Sequence, residues 1–205
     1  MVLATDIIPV ADGISVWQTF DPAVKADLWS SAVGTPVGLV LIDPIRLERT
    51  ALRDLTSRVK VAGIVVSNEN HERATAHFVD LFHPPVFAHG AVADALCLPH
   101  LVPVIDKSEI VPDLTAIHLE GAPTGEIALI HAENGGTLVV GDALINFEPY
   151  GFTFLPAKYC RDIKLMQRSL AKLLAYQFER ILFAHGTPIV RAGRSRFEQL
   201  LSGKS

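Results

Sequence analysis

The stretch Val65-Val66-Ser67-Asn68-Glu69-Asn70-His71-Glu72-Arg73 decides the reading of this chain. Val61 to Val66 before it is apolar and rich in β-branched residues, and Arg73 to Phe82 after it reads as a helix. The segment therefore predicts a buried strand, a sharp polar turn and a helix start. Proteins with mixed helices and sheets place their chemistry at the carboxyl ends of buried strands. The unbroken polar run from Asn68 to Arg73 is too polar for a neutral connection.

Two more apolar strands end in ionisable residues. Leu138-Val139-Val140 runs into Gly141-Asp142, and Ile181-Leu182-Phe183-Ala184 runs into His185-Gly186. Each of these residues taken singly is as well explained by a helix cap or a turn. Three such strand ends in one chain predict one crevice lined by Asn68, Asn70, Glu72, Arg73, Asp142 and His185.

The rest of the chain alternates strand pairs with helices. Ile7 to Val10 and Ile14 to Phe20 flank Asp12-Gly13, a hairpin signal. Asp21 to Ser31 reads as a loop, and Pro36 to Ile42 as a strand stopped by Asp43-Pro44. Apolar positions between Arg46 and Lys60 have helical spacing. Pro85 to Ala88 reads as a strand and Ala91 to Leu98 as a short helix. Further strands are expected at Leu101–Ile105, Leu114–Leu119, Glu126–Ala132 and Thr137–Val140, the last two joined by a turn at Asn134-Gly135-Gly136. Phe147 to Ala157 reads as an aromatic loop, Ile163 to Phe178 as one long amphipathic helix, Arg180 to Ala184 as a strand and Arg194 to Leu201 as a closing helix. This order suggests two mixed sheets packed together, with helices outside them.

These motifs resemble the metallo-β-lactamase superfamily over nearly the whole chain. The family pattern is a strand followed by His-x-His-x-Asp-His, then Pro-Gly-His-Thr-Pro-Gly, a strand ending in Gly-Asp and a strand ending in His. Asn68 and Asn70 stand at its first two His positions, Glu72 at the Asp and Arg73 at the next His. Ala122, in Glu120-Gly121-Ala122-Pro123-Thr124-Gly125-Glu126, stands at the third His. Gly141-Asp142 and His185 match the later motifs, and Leu41-Ile42-Asp43-Pro44 resembles an early strand end of the family. The resemblance implies a four-layer αββα sandwich spanning residues 1–205 as one domain, related to metal-dependent hydrolases.

The departures from the pattern carry the functional expectation. Asparagine amides are weak ligands for zinc, alanine is none, and a guanidinium stays protonated. A degenerate two-metal site follows, with no metal or other cofactor expected. The expected role is binding of a small-molecule ligand or a protein, with little hydrolysis. Arg73 is expected to pair with Glu72 or Asp142, supplying the charge that metals would bring. The rival expectation is a hydrolase with one divalent metal, Zn, Mn or Fe, held by Glu72, Asp142 and His185 and activating water. A third is metal-free acid–base chemistry by Glu72 or His185.

His71 lines the same turn and is expected at the surface or behind the site. The other histidines show no ligand spacing. The aromatic loop, with Phe147, Tyr150, Phe152 and Phe154, suits a cover over the core, a pocket wall or a contact between copies in a homo-oligomer. Lys158 or Arg161 is expected to face the crevice.

Composition narrows the partners. Hydrophobic residues make up 49% of 205, enough for a sizeable core, and the net charge of −4 without any basic run argues against nucleic acid. Cys97 and Cys160 form neither a CxxC motif nor a disulfide framework, and are read as ordinary thiols of a reducing compartment. No long apolar run and no basic leader is seen, so a cytoplasmic protein without membrane contact is expected.

Overall fold

The computed structural model describes residues 3–96 and 98–203. Cys97, read above as an ordinary thiol, lies outside them. From the amino terminus come β1 (Ile8–Ala11), β2 (Ile14–Asp21), β3 (Ala26–Thr35) and β4 (Gly38–Ile42), then α1 (Arg49–Thr56), β5 (Val61–Val66), α2 (Thr75–Phe82), β6 (Val86–His89), α3 (Gly90–Leu96) and β7 (Leu101–Val104). These seven strands form one sheet in chain order. It is antiparallel from β1 to β4 and parallel from β4 to β7. The parallel half needs crossovers, and α1, α2 and α3 supply them.

The chain continues with β8 (Ser108–Val111), β9 (Leu114–His118), β10 (Ile127–His131), β11 (Thr137–Val140), β12 (Leu144–Phe147) and β13 (Gly151–Phe154), then α4 (Ile163–Leu170), β14 (Arg180–Phe183) and α5 (Gly193–Leu201). The second sheet runs β14-β11-β10-β9-β8, and β12 and β13 make a separate hairpin.

Strand alternation builds the layers. Val40, Ile42 and Val65 face Ile127, Leu129, Val139 and Leu182 of the opposite sheet in the central core. Their neighbours Leu39, Leu41, Ile64 and Val66 point the other way, onto Ala51 of α1 and Phe78 of α2. Ala128, Ile130, Leu138 and Ile181 likewise turn outward onto Met166 and Leu170 of α4 and Phe197 of α5. Side chains alternate with period two, so a strand apolar on both faces must be covered on both. Two sheets with helices on both outer faces is the αββα sandwich.

The β10–β11 turn at Asn134-Gly135-Gly136 stands as expected. Gly136 has φ +80°, and a Cβ there would lie 2.2 Å from the Gln177 carbonyl oxygen, so only glycine fits.

Three expectations need correction, and one strand is new. The predicted loop Asp21–Ser31 is mostly strand: β3 starts at Ala26 and pairs with β2 along its length. Its Asp27, Ser30 and Ser31 disguise it, because cross-strand pairing overrides weak β-propensity. The aromatic loop contains strand β13, which folds back onto β12 just before it. The long helix ends at Leu170 and tightens into a 3₁₀ turn over Ala171–Ala175, a common way for a helix to finish. Strand β8 is an element the sequence pattern does not announce; it pairs with β9 around a turn in which Asp113 has φ +69°.

No helix among the described residues is long and apolar enough to cross a membrane.

Candidate functional site

Strands β4, β5, β11 and β14 all end at the same side of the sandwich. The sheets are joined there by hydrogen bonds from Ile127 N to Ser67 O (2.8 Å) and from Trp29 N to Ala184 O (2.9 Å). Asp43, Ser67 and Asn68, Asp142 and His185 follow directly or closely on these strand ends, so a rigid scaffold sets their positions.

The turn after β5 is built by Asn68. Its Oδ1 accepts the Asn70 N–H at 2.8 Å, and its carbonyl accepts the His71 N–H at 3.1 Å. This is the local geometry that asparagine favours in turns. The amide nitrogen is thereby aimed inward, donating to Glu126 Oε2 at 2.6 Å and to Asp142 Oδ2 at 3.1 Å. Asp43 Oδ1 accepts the Ser67 N–H at 2.8 Å, and Asp43 Oδ2 accepts the Ser67 hydroxyl at 2.6 Å. Gly141 is needed beside them, since a Cβ there would meet Ser67 Oγ at 2.5 Å and Glu126 Oε1 at 2.9 Å.

His71 is the centre of the cluster. Its Nδ1 lies 2.9 Å from Asp43 Oδ2 and its Nε2 3.2 Å from Asp142 Oδ1. It is buried, which corrects the expectation of a surface position. The polar run bends back into the crevice, and no periodicity announces that. His185 Nε2 lies 3.3 Å from the same Asp142 oxygen, and its Nδ1 lies 3.3 Å from the Asp27 carbonyl.

Arg73 corrects a second expectation. Among the described residues its guanidinium bonds to neither Glu72 nor Asp142 but donates to the carbonyls of Trp29, Asp43 and Ala184. These belong to both sheets, so Arg73 clamps them together. The Asp43 and Asp142 charges act on it across space. Arg73 itself holds φ +46°, a left-handed backbone uncommon for a long side chain, and the clamp keeps it there.

Glu72 is half-buried and stands apart from the Asp142–His185 pair. The cluster with metal-ligand geometry is His71, Asp142 and His185, whose donor atoms lie within 4.8 Å of one another. The one-metal set expected from sequence thus changes at one member. Asn70 is exposed and lines the cavity above the cluster. Ala122 is 1% exposed and packs into the outer core with α4. Lys158 lines the cavity, whereas Arg161 Nη1 bonds to Thr124 Oγ1 at 2.9 Å.

Sequence reasoning missed Asp43, Ser67 and Glu126 as members of the site. Asp43 shows in the sequence only as a strand end. Glu126 has a signal, a carboxylate opening the apolar run Ile127–Ile130, where an unpaired charge would be costly.

Burial alone would raise both aspartates, but His71 outweighs it and, with help from Arg73, holds Asp43 and Asp142 below the usual carboxylate range. Burial would likewise lower His71, but Asp142 and Asp43 raise it to about 9. Burial, then the charges of His71 and Arg73, push His185 down to about 4. Burial and the neighbouring Asp142 push Glu126 up to about 8. These shifts favour ionised Asp43 and Asp142 facing the His71 and Arg73 cations, with neutral His185 and Glu126 beside them.

Asn68, Asn70, Arg73 and Ala122 supply no imidazole at the positions that the resemblance assigns to ligands of a family-type pair of metals. The donor N–H groups of Asn68 point at the acids where a cation would need acceptors. Ala122 offers no ligand atom, and the Arg73 clamp puts a fixed positive charge beside the cluster.

A family model described as the metallo-beta-lactamase superfamily matches residues 11–203. The chain belongs to that superfamily. The fold resembles the crystal structure of the DIM-1 metallo-beta-lactamase, with 12% identity over 100% of this chain and 99% of that one and a TM-score of 0.75. A metallo-beta-lactamase from Pontibacter korlensis shares 13% identity over 96% of this chain and 98% of its own, with a TM-score of 0.73. A metallo-beta-lactamase family protein from Thermus thermophilus shares 19% identity over 95% of this chain and 80% of its own, with a TM-score of 0.67. At these identities the likeness extends to the fold alone. No curated protein matches the sequence.

Proposed function

We propose that this chain is a small-molecule-binding member of its superfamily, in which a protein-only charge network stands in for the two-metal centre and hydrolysis of ester, thioester or lactam substrates is slight. The observation that carries the reading is Asn68, whose amide donates to Glu126 and Asp142 from a position where the family pattern has an imidazole ligand. A cavity of about 1080 Å³ opens directly above His71, Asp142 and His185, roomy enough for a drug-sized ligand. Elemental analysis of protein purified without chelator tests the reading. Well below one equivalent of zinc, iron or manganese is expected; two equivalents would sink it.

One observation favours a second reading, a single divalent ion held by His71, Asp142 and His185. The other ring nitrogen of each histidine faces an oxygen, Asp43 Oδ2 for His71 and the Asp27 carbonyl for His185. Metal-bound histidines are oriented in this way. Two imidazoles and one carboxylate suit iron as well as zinc, and such an ion would supply a Lewis acid and an activated water. Zinc or iron(II) titrated into the protein then raises its melting temperature, and His185→Ala abolishes the effect. A melting temperature indifferent to both ions, in protein that still binds small molecules, removes this second reading.

A further inference from the structure

The cavity has a charge and surface character that the cluster beneath it does not explain. Its walls include Phe20, Leu28, Ile45, Phe147 and Leu155. Around its mouth Phe20, Val24, Tyr150 and Tyr159 are each more than half exposed. Large apolar side chains gathered at one opening mark a surface that a partner or ligand covers. The cavity also carries Lys25, Arg46, Arg73 and Lys158 against only Asp21 and Asp142, in a chain whose net charge is −4.

Most of these charges have partners. Arg73 is held by three carbonyls, Asp142 by His71 and His185, and Asp21 Oδ1 accepts the Ala23 N–H at 2.8 Å. The Lys158 ammonium sits 4.6 Å from the centre of the Tyr159 ring. Arg46 differs. Its guanidinium makes no hydrogen bond or ion pair among the described residues; Nε is shut off from solvent, and half-buried Arg46 lines the cavity next to Ile45. The outer nitrogens of its planar fork are the donors left to pair with a carboxylate.

We propose that the cavity binds an amphiphilic carboxylate, its head group on Arg46 and its apolar body along Phe147, Leu155 and the β2–β3 turn. This deepens the small-molecule reading and rests on it. One arginine fork, with the exposed Lys25 also on the lining of a mainly apolar cavity, suits a monoanion. A phosphate monoester would call for several converging donors.

Decanoate, 1-decanol and decyltrimethylammonium, titrated calorimetrically below their micellar ranges, test the proposal on the whole chain. Decanoate is expected to bind one to one, at least tenfold more tightly than decanol, with no binding of the cation. Arg46→Met should weaken decanoate about tenfold and leave decanol unchanged, while Arg46→Lys should keep part of the preference. Equal affinity for decanoate and decanol, or an unaltered decanoate affinity in Arg46→Met, overturns it. Should Arg46→Met fail to fold, the comparison of the three probes on the unaltered chain still decides. Stoichiometric metal would overturn the metal-poor reading and leave the Arg46 comparison intact. A metal-poor protein that does not tell decanoate from decanol removes this inference alone.

Discussion

Nδ1 of His71 lies 2.9 Å from Oδ2 of Asp43, and both side chains are only 3% exposed. The histidine comes from the turn after one strand and the aspartate from the end of its neighbour. With Asp142 on the other side of the ring, His71 bridges two buried carboxylates of different sheets.

That bridge should be structural as well as functional. His71→Ala leaves two buried carboxylates without their nearest cation, which typically costs about 3–5 kcal/mol. Urea denaturation should show this loss at unchanged m-value. A variant within about 0.5 kcal/mol of the native chain would mean that the bridge contributes nothing to stability.

Stability should fall as pH rises from 6.5 to 9. His71 has its folded pKa raised from 6.5 to about 9, so its contribution is complete below 6.5 and is lost through 9. Glu126 is raised from 4.5 to about 8, and its preference for the protonated folded state disappears over that interval with the same sign. Asp43, Asp142 and His185 have lowered folded values and act on the acid side. The combined fall should be on the order of 2–4 kcal/mol. It should be shallower in His71→Ala; a flat profile between pH 6.5 and 9 contradicts the assignment.

Asn68 should not tolerate a charge. Asn68→Asp places a third carboxylate against Glu126 and Asp142 and removes the amide that both accept from. Asn68→Ala should cost about 1–3 kcal/mol through unsatisfied acceptors. The aspartate variant should cost more at pH 8 than at pH 5, since protonation relieves the repulsion. Thermal melts at the two pH values measure the difference.

Arg73→Lys should behave as a disruptive change. A lysine ammonium is a point donor and cannot reproduce a planar fork spread over three carbonyls in two sheets. A loss of about 2–3 kcal/mol is expected, with faster amide exchange near Trp29 and Ala184. Exchange rates unchanged at both residues would refute the clamp.

Ala122→His should not restore a metal ligand. Ala122 is 1% exposed and sits in the core against α4, so an imidazole there overpacks it by about 1–3 kcal/mol. Zinc should leave the melting temperature of this variant unchanged; a zinc-dependent rise would show that position 122 still faces the site.

Much of this protein is legible in its sequence, for a physical reason. Val61 to Val66, Leu138 to Val140 and Ile181 to Phe183 are apolar on both strand faces, which demands cover on both and hence a layered sandwich. The polar residues that end these strands mark one crevice, because parallel neighbours deliver their ends to the same side. That Asn68, Asn70, Arg73 and Ala122 carry no imidazole, at positions the resemblance assigns to ligands, is likewise plain from residue type. Tertiary structure alone decided how the survivors pair. His71 turns inward and takes the place expected of Glu72, Arg73 reaches backbone carbonyls that carry no sequence signal, and Glu126 meets Asn68 across 58 positions of chain. Strand periodicity reports which face a side chain occupies. It says nothing of how a turn with left-handed residues directs its side chains, or of which distant groups the sheet pairing brings within hydrogen-bond reach.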